Sequence, residues 1–243
     1  MRYLSLVCLL FSIAIFSSCK RNILKGSGST TTVNPAVASF NGVNIDDLPL
    51  KVDIEVQQGA QPGIQMSGYE NVLNHIKTKV EDNILVVYTD LDEMWTIDGD
   101  GITVKITVPS LAMLTLSGAP DAGIHGNVTG SALHVDVSGA SNIVIDNIAT
   151  DTFAIEVSGA ADLHINGGSV KYADYQISGA GKVKAYSLQS IETSATISGA
   201  GTCEVNASQK LAAHVNGAGT IRYKGHPAVT QDVSGVGSVK DAN

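Results

Sequence analysis

Aromatic residues make up only 5% of the 243-residue chain and charged residues 16%, and there are three cysteines, six prolines and a single tryptophan. Each shortage excludes something. So few aromatic rings leave a core to be built from small and β-branched side chains, and a hydrophobic content of 44% argues against disorder. Three cysteines cannot form the disulfide framework of a small secreted module. With 15 basic against 23 acidic residues and a net charge of -8, the chain lacks the concentrated basic surface on which nucleic-acid binding rests, so no nucleic-acid partner is expected.

The N-terminus carries an export signal. Arg2 is followed by an apolar run from Leu4 to Phe16 and by Ser17-Ser18-Cys19. The run is shorter than the ~20 residues of a membrane-spanning helix. Small residues before a cysteine at this boundary resemble a bacterial lipoprotein signal, which implies cleavage after residue 18, lipidation of Cys19 and a membrane partner through the lipid. An ordinary cleaved signal with Cys19 left free is the alternative. Phe16 and Ser18 depart from the strict lipobox and match the looser boxes of Bacteroidetes-like lipoproteins. Residues 19–35 read as a flexible tether, basic at Lys20, Arg21 and Lys25 and then rich in Gly, Ser and Thr, so an anionic lipid surface is favoured. The tether lacks the acidic stretch that marks surface export in such lipoproteins, which favours the periplasmic leaflet of the outer membrane.

Glycine, by contrast, is abundant at 25 residues, and much of it sits in a repeat. A tetrapeptide recurs as SGAP at Ser117, SGAS at Ser138, SGAA at Ser158, SGAG at Ser178 and Ser198, NGAG at Asn216 and SGVG at Ser234. A period near twenty points to a solenoid, and the leucine consensus of leucine-rich repeats is missing. The residue before each tetrapeptide is Leu116, Val137, Val157, Ile177, Ile197, Val215 and Val233, always apolar. The residue before that is Thr115, Asp136, Glu156, Gln176, Thr196, His214 and Asp232, always polar. This alternation is a strand with one buried face, and a second alternating strand follows each tetrapeptide. Gly118, Gly139, Gly159, Gly179, Gly199, Gly217 and Gly235 are therefore expected to mark corners where glycine supplies backbone conformations other residues resist, with the alanine column pointing inward. The predicted fold is all-β, a parallel β-helix of about seven coils of 18–21 residues over 111–243. Strands over 36–110 start that solenoid or cover its first coil.

The "qG" turn at Gln57-Gln58-Gly59, the strand closing on Ile106 to Leu111 before the first SGA, the repeated SGAG corners and the ending YKGHPAV…VSGVG resemble the putative auto-transporter adhesin, head GIN domain family (DUF2807) over roughly Ala36 to Lys240. The resemblance implies a right-handed β-helix on an exported, often lipid-anchored protein of Bacteroidetes-like bacteria, and brings no catalytic residues with it.

Candidate chemistry is sparse. The corner serines lie in no G-x-S-x-G elbow, and seven copies of a nucleophile have no use. Cys203 falls in an inward column and reads as an inert buried thiol. The histidines have no metal-ligand spacing, so neither a metal nor a cofactor is expected. The densest acidic group, Asp90, Asp92, Glu93, Asp98 and Asp100, shares a loop with Trp95. Its spacing misses the EF-hand pattern, leaving either a solvated hairpin tip or a loop ligand site, while Trp95 would either stack a glycan or cover the end of the helix. Asp162 and His164 face Lys182 and Lys184 one coil on, which cross-strand pairing explains without catalysis. The sequence thus predicts a non-enzymatic cell-envelope lipoprotein, an adhesin-like binding or assembly module with an unidentified protein or glycan partner. Two alternatives stand beside it: a carbohydrate-binding or polysaccharide-cleaving β-helix, and an element that stacks end to end or forms a homo-oligomer through an exposed solenoid end.

Overall fold

The structure, a computed structural model, describes residues 22–48, 51–57, 60–92, 94–98 and 102–243. The signal segment, Cys19, Glu93 and Asp100 lie outside the described residues. Strand makes up 69% of the chain and helix 2%, in a parallel β-solenoid of about six turns. The expected parallel β-helix is there, with about six turns where about seven coils were expected.

Two sheets of the solenoid meet at the corners. On the first, Met113–Gly118 pairs in parallel with 134–139, then the stack continues through 152–157, 170–177, 192–197, 210–217 and Ala228–Gly235. On the second, 121–126 is followed by 142–145, Asp162–Ile165, 182–184, 202–206, Thr220–Lys224 and Ser238–Asp241. The apolar columns read from the sequence fill the interior: Leu116, Val137, Val157, Ile177, Ile197 and Val215 are all 2% exposed or less. Phe153 and Tyr175 are the largest fully buried side chains, meeting edge to face at 5.8 Å. Burial holds the Tyr175 hydroxyl well above its usual pKa, and the Cys203 thiol is likewise pushed up by desolvation.

The corner needs glycine for a reason different from the expected one at most positions. Only Gly118, Gly217 and Gly235 have positive φ, at 82°, 136° and 108°. At Gly139, Gly159, Gly179 and Gly199 the backbone is ordinary, but a Cβ would overlap the carbonyl oxygen of the glycine one coil before. Close stacking of corner on corner excludes the side chain. The ladder runs straight through this point, with Ala140, Ala160, Ala180 and Ala200 each donating from the backbone to the preceding corner glycine at 2.8–3.1 Å. The alanine column expected inside is exposed. The inward place belongs to the fourth residue, Ser141 and Ala161 and then Gly181, Gly201 and Gly219, because the chain turns at the glycine and the period-two alternation shifts by one.

The N-terminal strands both start the solenoid and cap it, in an order that differs from the sequence. Gly42–Ile45 lies between Ile84–Thr89 and Met113–Gly118, and Lys51–Val56 lies between Thr103–Val108 and Asp121–Gly139. The 42–56 coil is thus inserted beneath the later 84–108 coil. Beyond it the pairing turns antiparallel: Ile76–Glu81 borders Ile84–Thr89, Gly63–Tyr69 borders Thr103–Val108, and Thr30–Val33 borders Gly63–Tyr69. A single helical turn, Glu70–Leu73, buries Val72 and Leu73 against this end. The end is closed by apolar side chains and bordered by a charged edge strand bearing Lys77, Lys79 and Glu81.

The segment read as a tether is a further correction. Asn22–Leu24 pairs in parallel with Trp95–Ile97, Thr30–Val33 joins the large sheet, and Asn71 fixes the intervening stretch by accepting from the Ser27 amide and donating to the Lys25 carbonyl, both at 2.9 Å. Threonine-rich chain is extended by preference, and an unpaired sheet edge offered it partners. A Gly/Ser/Thr composition alone did not make it free.

Candidate functional site

The residues singled out around Trp95 divide between places. Asp90 turns away from the tryptophan: its carboxylate meets His75 Nδ1 at 2.8 Å and Lys77 Nζ at 3.3 Å. The hydrogen bond from His75, supported by Lys77, holds its pKa below the usual carboxylate value. Asp92 shapes its own turn, accepting the Met94 amide on Oδ1 at 2.9 Å and the Trp95 amide on its carbonyl at 3.0 Å. Asp98 is half-buried and its backbone donates to the Leu24 carbonyl. Among the described residues these acids do not converge as a group of three ligand atoms. Trp95 is 40% exposed and lines, with Asp92, Leu48, Ile97 and the first corner at Gly118, a cleft of about 510 Å³.

A larger cleft, about 770 Å³, was missed by the sequence reading. It opens on the third side of the solenoid, where the returns between the two marked strands lie. Up to Ser198 the corners step by 20 or 21 residues, and afterwards by 18. The pairing register shows where the residues are lost: Lys184 pairs with Glu204 but Gln189 already pairs with Asn206, and one residue is regained between Ser190 and Glu192. The shorter coils leave a recess floored by Asn206, Ser208 and His226 and walled by Thr150, Lys171 and Ile191. Lys171 Nζ reaches Asp151 at 2.8 Å across the rim, and that hydrogen bond raises the lysine pKa. Beneath, Ser190 Oγ bonds the Thr193 hydroxyl and donates to the Asn206 carbonyl at 2.9 Å. Tyr172, beside the rim residue Lys171, is 54% exposed. The change of step was the one signal in the sequence, and its effect could not be placed without the register.

The outward columns carry charge ladders. Asp162 faces Lys182, and His164, Lys184, Glu204 and Arg222 follow one another coil by coil, with Arg222 3.8 Å from Glu204. Lys210 meets Glu192 at 2.8 Å. Two pairings depart from this rule: Arg222 stands opposite Lys240, and Asp136 stands directly opposite Glu156, with His134 Nε2 3.0 Å from Asp136. The ligand atoms of His134, Asp136 and Glu156 lie within 4.8 Å of one another, an imidazole and two carboxylates of the kind that divalent cations take. Counting histidine spacings could not find a trio with only one histidine in it.

With this geometry in view, the likenesses to known proteins are specific. Three solved structures superimpose over the full length of their own chains. A "putative adhesin" from Bacteroides fragilis NCTC 9343 has a TM-score of 0.84 at 24% identity over 90% of this chain. A "putative adhesin" from Parabacteroides distasonis ATCC 8503 has 0.70 at 25% over 91%, and a "putative lipid binding protein" from the same organism has 0.70 at 18% over 91%. No protein of curated function matches the chain in sequence. The family described as "Putative auto-transporter adhesin, head GIN domain" matches residues 39–227, most of the solenoid and its N-terminal cap, and the chain belongs to that family.

Proposed function

We propose that the chain is a non-catalytic binding module of the cell envelope, held to the outer membrane by lipid on Cys19 and presenting the cleft of the third side to a glycan or protein partner. The carrying observation is the recess made where the coils shorten by two residues, about 770 Å³ in volume. It is concave, lined by hydroxyl, amide and charged groups, and its walls are rungs of a continuous ladder, so a ligand would meet a preorganised surface. The carbohydrate-binding form of this reading draws on Tyr172, next in sequence to the lining residue Lys171 and an exposed ring suited to stacking a sugar that extends past the cleft. A screen of the purified lipoprotein against bacterial and host glycans, repeated with Tyr172→Ala and Lys171→Glu, tests it. Binding lost in both variants is the expected outcome, whereas unchanged binding moves the site elsewhere and release of reducing sugar by the pure protein overturns the non-catalytic reading.

Location is tested separately, by protease and antibody access in intact cells with a Cys19→Ala control. The basic, acid-free residues after Cys19 favour the periplasmic leaflet, so protection in intact cells is expected. Access that depends on Cys19 would place the module at the surface.

Assembly through one end is a second reading, favoured by the last coil. Strand Ala228–Gly235 is exposed along its whole length, and Val229, Val233 and Val236 are 36%, 40% and 86% exposed. The N-terminal end presents an antiparallel, charged edge strand instead of an open parallel coil, so association would be tail to tail and closed rather than filamentous. Sedimentation showing monomer and dimer alone supports this form, and filaments refute it.

A further inference from the structure

We infer that the small ribbon formed by Asn22–Leu24 and Trp95–Ile97 is a membrane-docking face, which sets the solenoid at a fixed orientation on the bilayer that holds its anchor. The inference rests on the lipidation reading for its geometry and adds to it a surface and a lipid contact.

The ribbon stands apart from the large sheet as a two-stranded unit. Its register pairs Asn22 with Trp95, Ile23 with Thr96 and Leu24 with Ile97, and the Asn22 amide donates to the Met94 carbonyl at 2.7 Å. Side chains alternate along a strand, so one face holds Leu24, Ile97 and Trp95 and the other holds Ile23 and Thr96, with Met94 in line with them. The first face is spent on the core, where Ile97 is 5% exposed and Leu24 packs against buried residues. The second is open, with Ile23 and Met94 each 58% exposed, while Trp95, at the outer edge of the first face where it lines the smaller cleft, is 40% exposed. Three of the most exposed large apolar side chains of the described residues therefore sit on one unit that no other strand covers.

What covers this face follows from where the chain leads. Only Lys20 and Arg21 separate Asn22 from Cys19, and a fully extended chain spans at most about 3.5 Å per residue, so the lipid is attached within roughly 10 Å of the ribbon. An anchor that close brings the patch to the headgroups whenever the lipid is inserted. Ile23 and Met94 suit the boundary of the acyl chains, and a half-exposed tryptophan suits the headgroup level, where its ring is apolar and its indole N–H finds water. A lipid surface is favoured over a second copy because the lipid supplies a high effective concentration of bilayer and of nothing else. Charge adds little: Lys20, Arg21 and Lys25 are offset by Asp92, Glu93, Asp98 and Asp100. Docking is thus driven by apolar contact, is supported by zwitterionic lipid, and is insensitive to salt.

Trp95 is the only tryptophan and sits on the ribbon itself, within quenching range of lipid that contacts Ile23 and Met94, so its fluorescence reports whether the ribbon meets the bilayer. The full-length lipoprotein is reconstituted into phosphatidylethanolamine and phosphatidylcholine vesicles, with and without brominated lipid, and the mass of its N-terminal peptide is measured. Expected are a blue shift and bromine quenching that persist at high salt, and loss of both in an Ile23→Asp, Met94→Asp double variant that keeps its circular dichroism. A non-lipidated Cys19→Ser protein should bind vesicles at least about tenfold more weakly yet show the same ribbon dependence. If the peptide carries lipid but Trp95 stays solvent-like, docking is overturned and the anchor stands. If the peptide carries no lipid while Cys19→Ser protein is still quenched through the ribbon, the anchor is overturned and docking stands. A Trp95 shift that follows protein concentration without lipid assigns the face to self-association and refutes the inference.

Discussion

At the residue scale, glycine at the corner and alanine beside it look equally small in the sequence and stand in opposite situations. Gly159 faces the carbonyl oxygen of Gly139, and Ala160 faces solvent. Gly159→Ala is expected to destabilise by about 1–3 kcal/mol, as overpacking against an unyielding backbone does. Ala160→Ser should leave the midpoint of thermal unfolding nearly unchanged. A result in which the two substitutions cost the same would return the corner to a simple requirement for small residues. Phe153, fully buried against Tyr175, anchors the middle of the stack, and Phe153→Ala is expected to cost about 3–5 kcal/mol in denaturant unfolding.

At the element scale, the ladders of the outward columns decide where charge helps and where it opposes folding. Opposite charges face one another along most of the stack, while Asp136 and Glu156 meet as like charges. Glu156→Gln is accordingly expected to raise the melting temperature of metal-free protein, since carboxylates directly opposite on neighbouring strands repel. Asp90 behaves in the contrary way. Its folded-state pKa is depressed by the His75 hydrogen bond, so its contribution is present above the unfolded carboxylate value and is lost as pH falls through the folded value. A plot of melting temperature against pH should therefore fall less steeply below about pH 4 in Asp90→Asn than in the parent chain. Identical acid limbs would show that exposure to solvent screens the pair completely.

At the scale of the whole molecule, the two ends differ. The first is closed by antiparallel strands and one helical turn, and the second ends on a coil whose inward column is exposed, with Val233 at 40% where its six predecessors are at 2% or less. In that last coil Gln231 takes an inward place that Leu114, Val135 and Ile155 hold below. A polar residue there moderates an open apolar end. Solenoid stability is a sum of neighbouring interfaces, so a coil with one neighbour is the least held. Hydrogen exchange should be fastest in Ala228–Gly235 and slowest near 152–157, and uniform protection along the stack would mean that the end is covered in solution.

The sequence by itself determined the repeat. The tetrapeptide period, the inward columns and the outward polar columns follow from two-residue alternation at a fixed step, which no packing detail can alter. It could not determine the order of the first coils, because the pairing of 42–56 between 84–108 and 113–126 depends on which edges meet after the chain doubles back. It also misplaced the alanines and freed a segment that the fold uses, since both depend on neighbours distant in sequence. The candidate sites were the least legible part. Asp90 lies close to Asp92 and Trp95 in the chain and parts from them in space, whereas the lining of the large cleft comes from six successive returns. A change of step from 20 to 18 residues is visible to anyone counting glycines, but only the register of strand on strand turns two absent residues into a recess.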